Sequence, residues 1–383
     1  MDNLISFIRD YYGTSDPIPL HAPVFNDREL GYVTSAVKST FVSSVGEFVN
    51  RFERDIEKYT GTQKAVATVT GTAALHIALK LAGVVEGDLV LTQPLTFVAT
   101  CNAVKYCGAE PVFVDVDMHT MGLSPSAVEA WLVENTFIDD EGVCRTNADN
   151  RVVRACLPMH TFGHPVDLNE LVVVCKRWQL SMVEDAAESL GSLYHDQHTG
   201  TFGELGILSF NGNKIITSGG GGMILTGKEL GVKAKHLTTT AKQPHAYEFV
   251  HDSVAYNYRL PNLNAALGCA QLEQLDSFVN SKRKLAEDYR SHLKGTDWMF
   301  FDEPSGCRSN YWLNAVICAN AVERDAFLKE TNQRNVMTRP IWSLMNKLPM
   351  YEHCLKGELT NAQWLEARVV NVPSGVVDNQ MKS

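Results

Sequence analysis

The chain has 383 residues, of which 45% are hydrophobic and 20% charged, with a formal net charge of −10. That balance excludes a disordered chain and allows one large domain and a smaller one, each with its own core. The negative charge argues against nucleic acid or an anionic membrane surface as partner, and no run approaches the ~18 apolar residues of a membrane span.

The nine cysteines are odd in number and contain no CxxC pair. They fit reduced, mostly buried thiols better than a disulfide framework. The opening MDNLISFIRDYYGTSD lacks the basic start and apolar run of a signal peptide. A cytoplasmic protein is expected.

Residues 1–24 read as a short helix and an extended arm, PIPLHAPVF, in which Pro17, Pro19 and Pro23 prevent a helix. Helical spacing returns at 29–39 and 48–59, around a small polar loop at Phe41 to Gly46, and Gly61 stops the second helix. A regular alternation follows. Strands are expected at 65–69, 89–91, 111–115, 152–159 and 180–184, with helices at 73–81, 97–106, 124–133 and 168–178 between them. The acidic stretch 139–150 reads as an exposed loop.

Such alternation implies a parallel or mixed sheet covered on both faces. Ligands in such sheets bind outside the carboxyl ends of the strands. Past a strand at 222–226, one long amphipathic helix is expected from Asn262 through Leu275 towards Tyr289. The expected units are the arm at 1–24, a large cofactor-binding domain at 25–255 and a small domain at 256–383.

The chemistry centres on Ser209-Phe210-Asn211-Gly212-Asn213-Lys214, followed by the glycine run Gly219 to Gly222. A lysine amine forms Schiff bases with pyridoxal phosphate, and glycines let a backbone approach a bulky cofactor. Thr70-Gly71-Thr72 sits at a strand-to-helix turn, where free amides and a hydroxyl can hold phosphate. Glu184-Asp185-Ala186-Ala187-Glu188 ends an apolar strand, and a carboxylate there can keep a pyridine nitrogen protonated. Phe97 follows another strand and can lay a ring on the cofactor face.

Alone, these are a glycine-rich hairpin, a capped turn, an acidic helix start and a core aromatic. Together, on strand ends of one sheet, they describe a site for pyridoxal 5′-phosphate. Cys156, His160 and His164 lie on a strand-to-loop transition whose spacing does not converge on one ion. No metal site is expected there or at His195 and His198.

The segments GTAALHIAL, QPLTFVATCNAV, PVFVDVD, HTFGHPVDL, VEDAAESLGS, SFNGNKIITSGGGGMILT and YNYRLPNLNAALGCAQLEQL resemble one family. It is the DegT/DnrJ family of pyridoxal phosphate-dependent nucleotide-sugar aminotransferases, and the resemblance runs from the HAPVF arm to about residue 345. SVGEFVNRFE and TRPIWSLMNKLPMY most resemble its LegC/PglE-like branch, which aminates 4-keto sugars linked to UDP.

The resemblance implies fold type I, the aspartate aminotransferase-like α/β fold. That is a large domain with a mixed, mostly parallel seven-stranded sheet, plus a smaller C-terminal α/β domain. It implies Lys214 as the catalytic, cofactor-carrying lysine, Asp185 as the partner of the pyridine nitrogen and Phe97 as the stacked ring. Gly71, Thr72 and Ser209 are implied at the phosphate. Asn257 matches an asparagine that reaches the phosphate from the neighbouring subunit, so a homodimer with shared active sites is implied.

Glu188 stands where the family has Gln, His or Glu near cofactor and substrate. Ser44, Arg339 and Trp342 are the implied substrate contacts, and His160 joins them as a candidate because HTFGH ends a sheet strand, which sets it near the cofactor with its role open. A lysine at 214 separates the chain from dehydratase members, which carry histidine there. The implied reaction moves an amino group from L-glutamate to the C4 ketone of a UDP-linked 2-acetamido-2,6-dideoxy-hexos-4-ulose, for surface polysaccharide synthesis. GDP-4-keto-6-deoxymannose and a dTDP-3-keto sugar are the alternative substrates, and a pyridoxal phosphate-binding sensor without turnover is the non-enzymatic alternative.

Overall fold

The computed structural model describes residues 1–377. Among them, seven strands form the main sheet: β1 Lys64–Thr68, β2 Leu89–Thr92, β3 Glu110–Phe113, β4 Val153–Leu157, β5 Ser181–Asp185, β6 Leu205–Ser209 and β7 Gly222–Thr226. Their spatial order is β1-β7-β6-β5-β4-β2-β3, and only β7 runs against the rest. This is the mixed, mostly parallel seven-stranded sheet that the resemblance implies.

The strands are apolar because both faces are covered. Alternate residues of β2 face opposite ways. Val90 joins Val66, Ala155 and Val183 under the helices Gly71–Leu81 and Val98–Tyr106, through Ala74, Ile77 and Ala103. Leu89 and Leu91 face the other layer with Val112 and Cys156, against Val128 and Leu132 of Pro125–Asn135 and Leu171 and Val174 of Leu168–Arg177.

The structure departs from the sequence reading in three places. β6 is absent from it because Gly206 interrupts a short apolar run. The glycine is needed there, since a Cβ would stand 2.1 Å from the Gly200 carbonyl oxygen. The acidic stretch is in part a hairpin, Thr136–Ile138 against Cys144–Thr146. Its acids do turn work: Asp139 accepts amide hydrogen bonds from Glu141 and Val143 and pairs with Arg145 at 2.5 Å. The long helix is two, Asn262–Leu272 and Leu275–Leu293. Around the break, Gln271 and Gln274 turn to Glu29, and Glu273 meets Arg28 and Arg51.

A second sheet carries β8 Met299–Phe300, β9 Asn314–Ile317, β10 Arg339–Pro340 and β11 Val369–Val372, in the order β8-β9-β11-β10, all antiparallel. The N-terminal helix Asp2–Tyr12 packs into the core of this sheet. Leu4, Ile5 and Ile8 meet Leu285, Tyr289, Val316 and Val370. All nine cysteines are unpaired thiols, and all but Cys307 are buried. No helix of the described residues is long and apolar enough to cross a membrane.

Candidate active site

The turn after β1 and the carboxyl ends of β5 and β6 surround a cavity of about 360 Å³. Gly71, Thr72, Phe97 and Asp185 line it. So do Glu188, Ser209 and Lys214.

Thr70 caps the helix Gly71–Leu81, its Oγ1 accepting from the Ala73 amide at 3.0 Å. Gly71 and Thr72 therefore hold the first two helical positions, whose amides have no intrahelical acceptor and suit an anion. Close packing requires glycine at 71: a Cβ would lie 2.9 Å from Ser209 Cβ. That approach brings the Ser209 hydroxyl beside the helix N-terminus.

Asp185 ends β5 deep in the sheet. Its Oδ2 accepts from the Thr100 hydroxyl at 2.7 Å and its Oδ1 from the Ala187 amide at 3.2 Å. Burial raises the pKa of its carboxyl, against the pull of those two hydrogen bonds. A cationic ring N–H would pair with such a carboxylate. Phe97 remains 51% exposed where it borders the cavity.

Glu188 is fixed by the Phe162 amide, which donates to its Oε2 at 2.9 Å. Its Oε1 faces Lys214 Nζ at 3.4 Å, and burial pushes the carboxyl up to about 7. On its other side Lys214 Nζ lies 4.2 Å from the centroid of the Trp312 ring. The amine is thus held between an acid and an aromatic face.

Trp342 reaches the cavity and packs its ring against Phe162, with centroids 5.1 Å apart. The other implied substrate residues are not brought to it. His160 is fully buried behind β5, its Nε2 3.1 Å from Glu184 Oε2 and its Nδ1 accepting from the Val166 amide. Glu184 also accepts the amides of Gly200, Phe202 and Gly203, so this pair braces the sheet. Ser44 lies in the loop before the helix Glu47–Thr60, and Arg339 is exposed on β10. Asn257 is exposed too, bound to Arg259 at 2.8 Å, and does not line its own chain's cavity.

Sequence reasoning missed Thr100 and Trp312. The first stands three residues after Phe97, one helical turn, and was legible by that spacing. The second lies in a segment with no local mark of chemistry. Among the described residues no group of three His, Cys, Asp or Glu is placed to hold a metal ion.

The residues present fit pyridoxal phosphate group by group. Lys214 offers an amine to the aldehyde, Asp185 a buried carboxylate to the pyridine nitrogen, and Phe97 a ring face. The amides at 71 and 72 and the Ser209 hydroxyl offer an anion cradle.

Residues 23–380 match the DegT/DnrJ/EryC1/StrS aminotransferase family. The chain is 34% identical over 358 residues to the GDP-perosamine synthase of Escherichia coli O157:H7, across 93% of each chain. It is 32% identical over 370 residues to the GDP-perosamine synthase of Vibrio cholerae, across 95% of this chain and 96% of the other. The crystal structure of the aminotransferase TlmJ from Streptoalloteichus hindustanus superposes with a TM-score of 0.84 at 26% identity, over 93% of both chains. With its type I fold and a cavity built for pyridoxal phosphate, the chain belongs to the DegT/DnrJ/EryC1/StrS family and is a pyridoxal phosphate-dependent sugar aminotransferase.

Proposed function

We propose that the chain transfers an amino group from L-glutamate to the C4 ketone of a nucleotide-linked 4-keto-6-deoxyhexose. The observation that carries this reading is the Lys214 amine set 3.4 Å from Glu188 in the cavity that also holds Asp185. Bound pyridoxal phosphate supplies an electrophilic aldehyde and an electron-accepting ring. The chain supplies the rest.

Gly71, Thr72 and Ser209 hold the phosphate, and Phe97 holds the ring face. Asp185, oriented by Thr100, keeps the pyridine nitrogen protonated. Lys214 Nζ takes the proton from the donor's α-carbon and returns it on the other side of the transferred nitrogen. Glu188, titrating near neutrality, exchanges a proton with that amine. One cavity serves both substrates, so 2-oxoglutarate leaves before the keto sugar binds and the kinetics are ping-pong.

The two relatives named as GDP-perosamine synthases support GDP-4-keto-6-deoxymannose as the acceptor. The UDP reading rests on the segments that contain Ser44, Arg339 and Trp342, of which Trp342 lines the cavity and the other two do not. A homodimer with shared sites accounts for Asn257, exposed and off its own cavity. Tyr247 and Phe249, 82% and 79% exposed in the loop just before it, are suited to burial against a second copy.

The test is to incubate the enzyme and L-glutamate with the GDP-, UDP- and dTDP-linked keto sugars in turn, following 2-oxoglutarate and the amino sugar by mass spectrometry. The GDP sugar is expected to give the highest kcat/KM. Absence of 2-oxoglutarate with every keto sugar would contradict the assignment.

A further inference from the structure

Trp312 reaches the cavity from the segment leading into β9, far in sequence from Lys214 and Glu188, and three hydrogen bonds fix it. Its amide donates to Asn310 Oδ1 at 2.8 Å, and its carbonyl accepts from Lys282 Nζ at 3.1 Å. Its indole Nε1–H donates to the carbonyl of Asn213, the residue before Lys214, at 2.7 Å. The first two hold the main chain and the third the ring, which a tryptophan that only filled space would not need.

The braces themselves point to position. Asn310 is fully buried, and its Nδ2 donates to the carbonyls of Glu188 and Leu190, both at 2.9 Å. One asparagine therefore ties together the two walls between which the Lys214 amine sits. Lys282, on the helix Leu275–Leu293, is also fully buried. Among the described residues it donates to two main-chain carbonyls, those of Trp312 and Ser374. Burial lowers the pKa of this amine to about 7; holding it there costs stability, and such groups can be retained for the geometry they impose.

We propose that Trp312 is a positioning residue for the transfer: its ring face holds Lys214 Nζ for attack, and Lys282 and Asn310 fix the main chain that carries the ring. This rests on the reading of Lys214 as the cofactor lysine. The indole face draws the protonated amine into place, at a point along the ring set by the bond to Asn213; Glu188 Oε1, 3.4 Å away, takes its proton, and the free amine then attacks.

The test follows attachment of the cofactor rather than turnover. Full-length protein freed of cofactor is mixed with pyridoxal phosphate, and the visible band is recorded in a stopped-flow instrument. Attachment joins Nζ to the aldehyde carbon with loss of one water. At saturating cofactor, Trp312→Leu is expected to slow this step about tenfold. Trp312→Phe, which keeps a ring face, is expected to slow it no more than about threefold. Lys282→Met is expected to slow it about threefold or more at an unchanged half-saturating cofactor concentration.

Attachment at the wild-type rate in both Trp312→Leu and Lys282→Met would overturn the proposal. So would a loss that merely tracks a fall in melting temperature. If Trp312→Leu does not fold, the Phe and Met variants carry the test alone. If Lys214→Ala gives the same band as wild type, the reading of Lys214 itself fails and this proposal falls with it.

Discussion

The carboxyl of Glu188 stands 3.4 Å from the amine of Lys214 with only 3% of its side chain exposed. Burial holds that carboxyl near 7 instead of the ordinary 4.5. Between those values the folded chain binds more protons than the unfolded one. The stability tied to this group is therefore complete below 4.5 and lost as pH rises through about 7, a span worth roughly 3 kcal/mol. Urea unfolding of the cofactor-free protein is expected to show wild type losing about that much relative to Glu188→Gln between about pH 5 and pH 8. Parallel pH profiles would contradict the burial argument.

Thr100 and Asp185 form the next testable pair. A hydrogen bond to a charged group contributes about 1.5–3 kcal/mol, so Thr100→Val is expected to lower kcat by about ten- to hundredfold. Asp185→Ala, which leaves the pyridine nitrogen without its counter-ion, is expected to cost more. Steady-state kinetics with glutamate check both. A Thr100→Val enzyme with full kcat would show that the orientation of Asp185 does not matter.

Gly71 tests the phosphate end. Alanine there would place its Cβ 2.9 Å from Ser209 Cβ, and overpacking of this kind costs about 1–3 kcal/mol. Gly71→Ala is expected to raise the half-saturating concentration of pyridoxal phosphate by about tenfold or more while the fold persists. Fluorescence titration of the cofactor measures it. Unchanged affinity would remove the phosphate from this turn.

The proposed homodimer with shared sites predicts complementation. Lys214→Ala and Asn257→Ala homodimers are each expected to be inactive or weak. After subunit exchange, half of a random mixture is hybrid and each hybrid holds one intact site. Activity should then rise to about a quarter of wild type. No rise on mixing would place Asn257 outside the partner's site.

Much of this was legible in the sequence for a physical reason. In a parallel sheet the strands are near-continuous apolar runs, and chemistry gathers at their carboxyl ends, so Thr70-Gly71-Thr72, Asp185 and Lys214 stand out against local background. β6 was illegible because Gly206 answers to a distant backbone, that of Gly200. The break after Leu272 was illegible because its cause is Glu29 and Arg51 on other helices. Trp312 carries no motif; its role exists only once the chain brings it to Asn213 and Lys214. His160 looked like a site residue because its segment ends a strand at the cavity rim. Its ring turns inward to Glu184 instead.

Reduction of the cofactor-loaded enzyme with borohydride, followed by peptide mass mapping, tests the centre of the account most directly. One phosphopyridoxyl group is expected, on the peptide containing Lys214, and none in Lys214→Ala, whose kcat should fall by about 10²- to 10⁴-fold. A label on another lysine, or an unmodified Lys214 in an enzyme that turns over, would contradict it.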